Sequence, residues 1–184
     1  IDSHSILFCC GCFYMKGDNV MPLRKELERL PEECWQNERV KIKPILTQED
    51  LIYATYGCQL IAEQQELVNP AWFSIGRAYV CREDNYPCII YNEADKPIGF
   101  ISLLRWLGGG EAYSWSYYID TRYQGKGYGK SAAQLAIRIL KTVDPEKQIK
   151  LSTETFNTTA QVLYQSLGFR KLDEMDGDDF VFGL

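Results

Sequence analysis

The stretch "YYIDTRYQGKGYGKS", Tyr117 to Ser131, decides how this chain is read. It begins at the end of an apolar, strand-like run, places Gly125, Gly127 and Gly129 at its centre, and opens an amphipathic segment at its close. Glycines let a backbone take left-handed turns, so successive N–H groups can converge on one anion. A helix N-terminus directly behind such a turn adds partial positive charge. Two common phosphate loops are excluded by spacing. The GxxxxGK[ST] loop would need a glycine where Gln124 stands. The GxGxxG fingerprint fails because these glycines are spaced GxGxG, and no clear acidic ribose contact follows about 20 residues on. What remains is QxxGxG over Gln124, Gly125, Lys126, Gly127, Tyr128 and Gly129, followed by Lys130. A diphosphate fits such a turn; a ligand-free strand-to-helix turn is the plain alternative.

The pattern around this stretch is that of one α/β domain. "VKIKPIL" from Val40 alternates like a strand, and Thr47 reads as the N-cap of one or two helices. "NPAWFSIGRAYVCREDN" reads as a loop or irregular segment opened by an Asn-Pro turn signal. Strands near 88–92, 98–106 and 112–119 are separated by the turn signals "NEADKP" and "LGGGE". After the glycine turn, Ala133, Ala136, Ile137, Leu140 and Val143 share one helical face, and Asp144-Pro145 stops the helix. "QIKLSTE" is a buried strand, and a helix follows from Asn157 with Ala160, Leu163, Tyr164 and Leu167 inward. "DEMDGDD" reads as an acidic turn before a last strand at "DFVFG".

The chain has 184 residues, 46% apolar and 24% charged, enough for one domain with a real core. Apolar runs such as "SILFCC" and "YPCIIY" fall far short of the roughly 20 residues that span a bilayer. The expectation is a soluble, cytoplasmic protein without a membrane partner. A net charge of -5 and no basic stripe argue against nucleic acid. Seven cysteines without zinc-ligand spacing and a single histidine, His4, argue for reduced thiols and no metal site. Residues 1–39 read as an extension to a domain at 40–184. Its "LRKELERL" forms a short helix with Leu23, Leu27 and Leu30 on one face, docked on the domain or on a neighbouring subunit.

Three pieces in order, "GFISL", "YYIDTRYQGKGYGK" and "NTTAQVLYQSLGF", resemble the GCN5-related N-acetyltransferase (GNAT) family. The last piece is similar to that family's N-x-x-A-x-x-x-Y-x-x-x-G-F segment, and the resemblance covers roughly Val40 to Leu184. "YIDTRYQGKGYGK" and "MDGDDFVFGL" look most like bacterial polyamine acetyltransferases. The resemblance implies a mixed central sheet, flanked by helices and splayed between two parallel strands, Tyr113 to Asp120 and Lys150 to Thr153. Acetyl-CoA would be the co-substrate, its pantetheine arm paired with the backbone of Tyr118 and Ile119. Amides from Gln124 to Lys130 would hold its pyrophosphate, and Asn157 would touch it. Asn157 reads equally well as an N-cap.

The resemblance also implies direct acetyl transfer to an amine, with Tyr164 protonating the CoA sulfur. An N–H near Tyr118 or Ile119 would polarise the thioester carbonyl. Polyamine enzymes of the mammalian type carry an acidic pair where this chain has Trp115 and Ser116. Glu154 is therefore the first candidate base, with Glu111 and Asp120 behind it. Trp72, Phe73, Trp106 and Trp115 are candidates for an aromatic wall against a cationic amine, with core packing as the ordinary alternative. The reading is an N-acetyltransferase for a primary amine of a small molecule, possible substrates including polyamines, in a homodimer such as the family often forms. Protein or antibiotic acceptors, and a non-catalytic acetyl-CoA sensor, are the competing readings.

Overall fold

The computed structural model describes residues 21–106 and 112–184. Cys9, Cys10, Cys12, the "LGGGE" turn and Glu111 lie outside the described residues. Strands β1 (Val40–Pro44), β2 (Asn85–Asn92), β3 (Pro97–Arg105) and β4 (Tyr113–Ile119) form an antiparallel sheet in that order. A second sheet has the order β5 (Lys150–Glu154), β7 (Asp179–Gly183), β6 (Arg170–Asp176), also antiparallel. The two sheets meet where Tyr113 bridges in parallel to Ile149, and the Tyr113 N–H donates to the Gln148 carbonyl at 2.8 Å. That parallel contact makes the whole mixed and sets the pivot from which β4 and β5 diverge.

Both faces of the first sheet are covered, which is why β2 and β3 are almost continuously buried. On one face Ile42, Ile90, Ile101 and Leu103 pack with Ala132, Ala136 and Ile139 of helix α5 (Tyr128–Val143). Leu135, Ile139 and Leu140 are buried while Ile137 and Val143 are only half-buried, so the inward stripe is rotated slightly from the one expected. Helix α1 (Leu23–Leu27) enters the same core through Leu23 and Leu27, both fully buried, with Leu30 packed beside them. The opposite face packs Ile89 and Phe100 against Ala54 and Ala71.

The segment between β1 and β2 begins with α2 (Gln48–Ile52), capped reciprocally by Thr47 and Asp50. It continues through a π-turn at Tyr53–Gly57 and a short α3 (Ala62–Gln65). The supposedly irregular segment after Asn69 is instead a ten-residue helix, α4 (Ala71–Val80). Its buried face is small, Ala71, Ser74 and Ala78, while Trp72, Tyr79 and Val80 face solvent. Close packing on the sheet selects small side chains, which inverts the apolar stripe that periodicity detects. The acidic "turn" is also corrected: "DEMD" belongs to β6, and the reversal is the pair Gly177, at φ 62°, and Asp178. β6 is exposed along nearly its whole length, so no alternation marks it. Helix α6 (Thr158–Ser166) precedes it.

Cys34, Cys58 and Cys88 are free thiols. Cys81 is disulfide-bonded, which corrects the expectation of reduced thiols throughout; an odd number of cysteines does not forbid a single bond. Among the described residues no helix is long and apolar enough to cross a membrane.

Candidate active site

β4 is bonded to β3 on one edge and β5 to β7 on one edge, and among the described residues the Tyr113–Ile149 bridge is the one pairing between their other edges, which leaves a cleft beyond it without a ladder. Alternation along β4 sends Tyr113, Trp115, Tyr117 and Ile119 to the α5 side, and Tyr118 to the side of Tyr53, Ala54 and Ala71. The Tyr118 hydroxyl accepts the Ala71 N–H at 3.2 Å, and its ring lies 5.6 Å from Phe100.

At the C-terminal end of β4 the buried Asp120 caps a single 3-10 turn, Thr121–Tyr123, and the glycine loop follows. Gly125 and Gly127 have φ of 72° and 83°, which side-chain-bearing residues adopt only with strain. A Cβ at Gly125 would point into open space, as a backbone cradle for an external group requires. Gly127 caps α5, whose first four N–H groups have no partner within the helix. These amides and the helix dipole fit a diphosphate. Arg39 braces the loop from outside, donating from Nη2 to the Lys126 carbonyl at 2.8 Å. The buried Tyr128 points away from the loop and donates to the Glu93 carboxylate. Lys126 and Lys130 are exposed, and Lys126 Nζ donates to the Arg122 carbonyl at 3.2 Å.

Tyr164 is half-buried on α6, its ring 5.9 Å from Phe169 and 5.7 Å from Phe182. Burial, reinforced by the Glu154 carboxylate, pushes its phenol up to about 12. It is therefore a neutral proton carrier at any ordinary pH. Burial, and then Tyr164, also raises the pKa of Tyr117, whose hydroxyl donates to the Gly129 carbonyl at 3.3 Å. Tyr117 thus ties the cleft to the loop. Period-two alternation from Trp115 was the signal for it, and its contact with Gly129 gave no local sign.

Glu154 ends β5, where its carboxylate accepts from Thr153 Oγ1 at 3.3 Å and from Asn157 Nδ2 at 3.2 Å. Asn157 is the N-cap of α6, its Oδ1 accepting the Ala160 N–H at 3.1 Å. Glu154 sits across from Asp179 in the β5–β7 register. Burial, with Glu154, Asp176 and Asp178 adding repulsion, raises the Asp179 carboxyl. Asp120 has a different situation. Burial opposes its ionisation, yet bonds from the Arg122 side chain and backbone and from the Gln59 N–H hold it below the usual carboxylate range. Its lone pairs are already occupied.

The four candidate aromatics do not form one wall. Trp115 is buried edge-on to Phe169 on the α5 side of the sheet, and Trp72 is 63% exposed on α4, against Phe73. They belong to opposite faces, because side chains at odd positions of β4 face away from α4.

An open-edged strand, a left-handed glycine loop opening a helix, and a phenol across the cleft are now joined by a sequence comparison. The acetyltransferase (GNAT) family model matches residues 26–169. The chain belongs to the GNAT family. The spermine/spermidine N(1)-acetyltransferase of Bacillus subtilis (strain 168) is 42% identical over 60 residues, a match covering 33% of this chain and 40% of that relative. The chain thus spans well under half of that curated relative. Among solved GNAT-like structures, RimJ of Mycobacterium smegmatis in complex with CoA-disulfide superposes with a TM-score of 0.62 at 17% identity, over 79% of this chain and 81% of that one. A ribosomal-protein-S5-alanine acetyltransferase from Vibrio fischeri gives a TM-score of 0.60 at 16% identity, over 81% and 94%. At these identities the superpositions speak for the GNAT fold. GNAT enzymes are acetyl-CoA-dependent N-acetyltransferases, and the loop and cleft described above have the groups such a co-substrate needs.

Proposed function

We propose that this chain transfers acetyl from acetyl-CoA to a primary amine of a small cationic molecule, polyamines included. The observation that carries the acceptor class is the carboxylate cluster where β5 meets β7: Glu154, which acts on Tyr164, stands opposite Asp179, and Asp176 and Asp178 add repulsion on Asp179. A cation relieves the repulsion that raises Asp179, and the net charge of -5 favours its approach. The similarity to the Bacillus subtilis spermine/spermidine enzyme supports the same class.

The reaction makes one C–N bond and breaks one C–S bond. The backbone N–H of Ile119 lies on the edge of β4 away from β3 and polarises the carbonyl, while that of Tyr118 is taken up by the β3 ladder; amides of Gly125 to Lys130 hold the pyrophosphate. Glu154 takes the proton the amine must lose, directly or through water. Tyr164 gives its proton to the departing sulfur and regains one from solvent. The transferase domain is assigned to 40–184, with the preceding residues an extension; the burial of Leu23 and Leu27 supports its docking on the domain.

The test is an amine panel with purified protein and acetyl-CoA, read by free-thiol release and by product mass. Acetylated diamines or polyamines are the expected products. Acetylation confined to peptides would replace the small-amine reading with a protein acceptor. Acetyl-CoA binding without any product would leave the sensor reading.

A further inference from the structure

The glycine loop is tied to a distant part of the chain by directional polar bonds. Gln124 and Gln64 form a reciprocal amide pair, Gln64 Nε2 to Gln124 Oε1 at 3.0 Å and Gln124 Nε2 to Gln64 Oε1 at 2.9 Å. Gln124 Nε2 also donates to the Ile119 carbonyl at 2.7 Å, and the Gln124 N–H is bonded to the Thr121 carbonyl. One turn earlier, Asp120 accepts from the Tyr53 hydroxyl and the Gln59 N–H, at 3.4 and 3.2 Å. Arg122 Nη2 donates to the Gly57 carbonyl at 2.8 Å, and Thr121 donates from N and Oγ1 to the Gln59 carbonyl. Residues 53–65 are thereby suspended from the turn between β4 and the loop. Apolar packing fixes their start, through Ala54 and Tyr53 on the sheet, whereas α3 buries no residue. The same segment flanks Tyr118, because Tyr53 and Ala54 pack with it on the face opposite α5.

We propose that Gln124 is a positioning residue: with Gln64 it couples the glycine loop to the 53–65 segment, so that acetyl-CoA on the loop fixes one wall of the acceptor site. The glutamine that opens the QxxGxG turn then acts through its side chain on the acceptor wall, while the following amides hold phosphate. This inference rests on the acetyl-CoA reading of the loop given above. Coupling follows because the loop and the wall share bonds that each alone satisfies poorly. Ordering one lowers the entropy lost on ordering the other.

The experiment is hydrogen exchange of the full chain with and without CoA, alongside calorimetry, for wild type, Gln64→Ala, Gln64→Glu and the Gln64→Ala/Gln124→Ala pair. Wild type should slow exchange in 53–65 at least about tenfold on CoA binding. Gln64→Ala should abolish that slowing while CoA affinity stays within about threefold, since Gln64 lies outside the loop. Gln64→Glu keeps the oxygen that accepts from Gln124 Nε2 and should keep most of the slowing. In turnover, Gln64→Ala should raise the acceptor KM about five- to twentyfold, the scale of two lost hydrogen bonds, and the double variant should add little more. CoA binding that leaves exchange in 53–65 unchanged, or slowing that survives Gln64→Ala, overturns the coupling alone. Failure of wild type to bind CoA overturns the loop reading and the coupling together.

Discussion

Tyr164 on α6 and Glu154 at the end of β5 form one electrostatic unit: burial raises the phenol first, and the carboxylate raises it further. A tyrosine so placed keeps its proton at any ordinary pH. In the reaction proposed above, Tyr164 is the acid for the departing sulfur and Glu154 the base.

Replacing Tyr164 by Phe should lower kcat about 10²–10⁴-fold, with acetyl-CoA affinity unchanged by calorimetry. Loss of both in parallel would make the residue a packing element. The phenol also bears on alkaline stability. Its folded pKa, about 12, exceeds the ordinary 10.0, so its contribution is complete below pH 10 and is lost as pH rises through 12. Burial likewise raises Tyr117, Tyr118 and Tyr113. The tyrosinate absorbance that these four contribute should therefore rise together with unfolding, and Tyr164→Phe should remove its share.

Gly127→Ala should weaken acetyl-CoA binding about tenfold. Its φ of 83° costs a side-chain-bearing residue about 1–2 kcal/mol, and its Cβ would stand 3.2 Å from Arg39 Nη1. Calorimetry with acetyl-CoA, paired with a melting curve, checks both effects.

Asp179→Asn should stabilise the fold at pH 7 and change little at pH 3. The carboxyl is raised by burial and then by Glu154, Asp176 and Asp178. A raised carboxyl favours the fold below its unfolded pKa and loses that advantage as pH rises, so removing its charge helps only where it would be ionised. Urea midpoints at the two pH values decide it. The same variant should raise the KM of a cationic amine.

Leu27→Ala should cost about 2–5 kcal/mol, the usual range for a fully buried leucine. Urea denaturation measures this directly. A cost under about 1 kcal/mol would show that α1 lies on the domain without being part of its core.

Local chemistry made several elements legible in the residues themselves. The left-handed glycines, the stop at Asp144-Pro145, the cap at Asn157 and the alternation of β4 each depend on neighbours within a few positions. Tyr164 became a site candidate only through the family resemblance, but the glycine loop was readable as one before any fold was known. Helix α4 was not, because its buried side is Ala71, Ser74 and Ala78, and small residues carry no hydrophobic signal. Nor was β6, whose exposed residues satisfy their backbone by pairing with β7 and bury almost nothing.

By itself, then, the sequence determined the strands and helices other than α4 and β6, and the turn that fits a diphosphate, since these are written in short-range pattern. The tertiary structure alone decided which side of the sheet each aromatic faces, that Asp120 is held by Gln59, and that Gln124 reaches back to Gln64. Those choices depend on contacts between residues some sixty positions apart, which only the folded sheet brings within hydrogen-bonding distance.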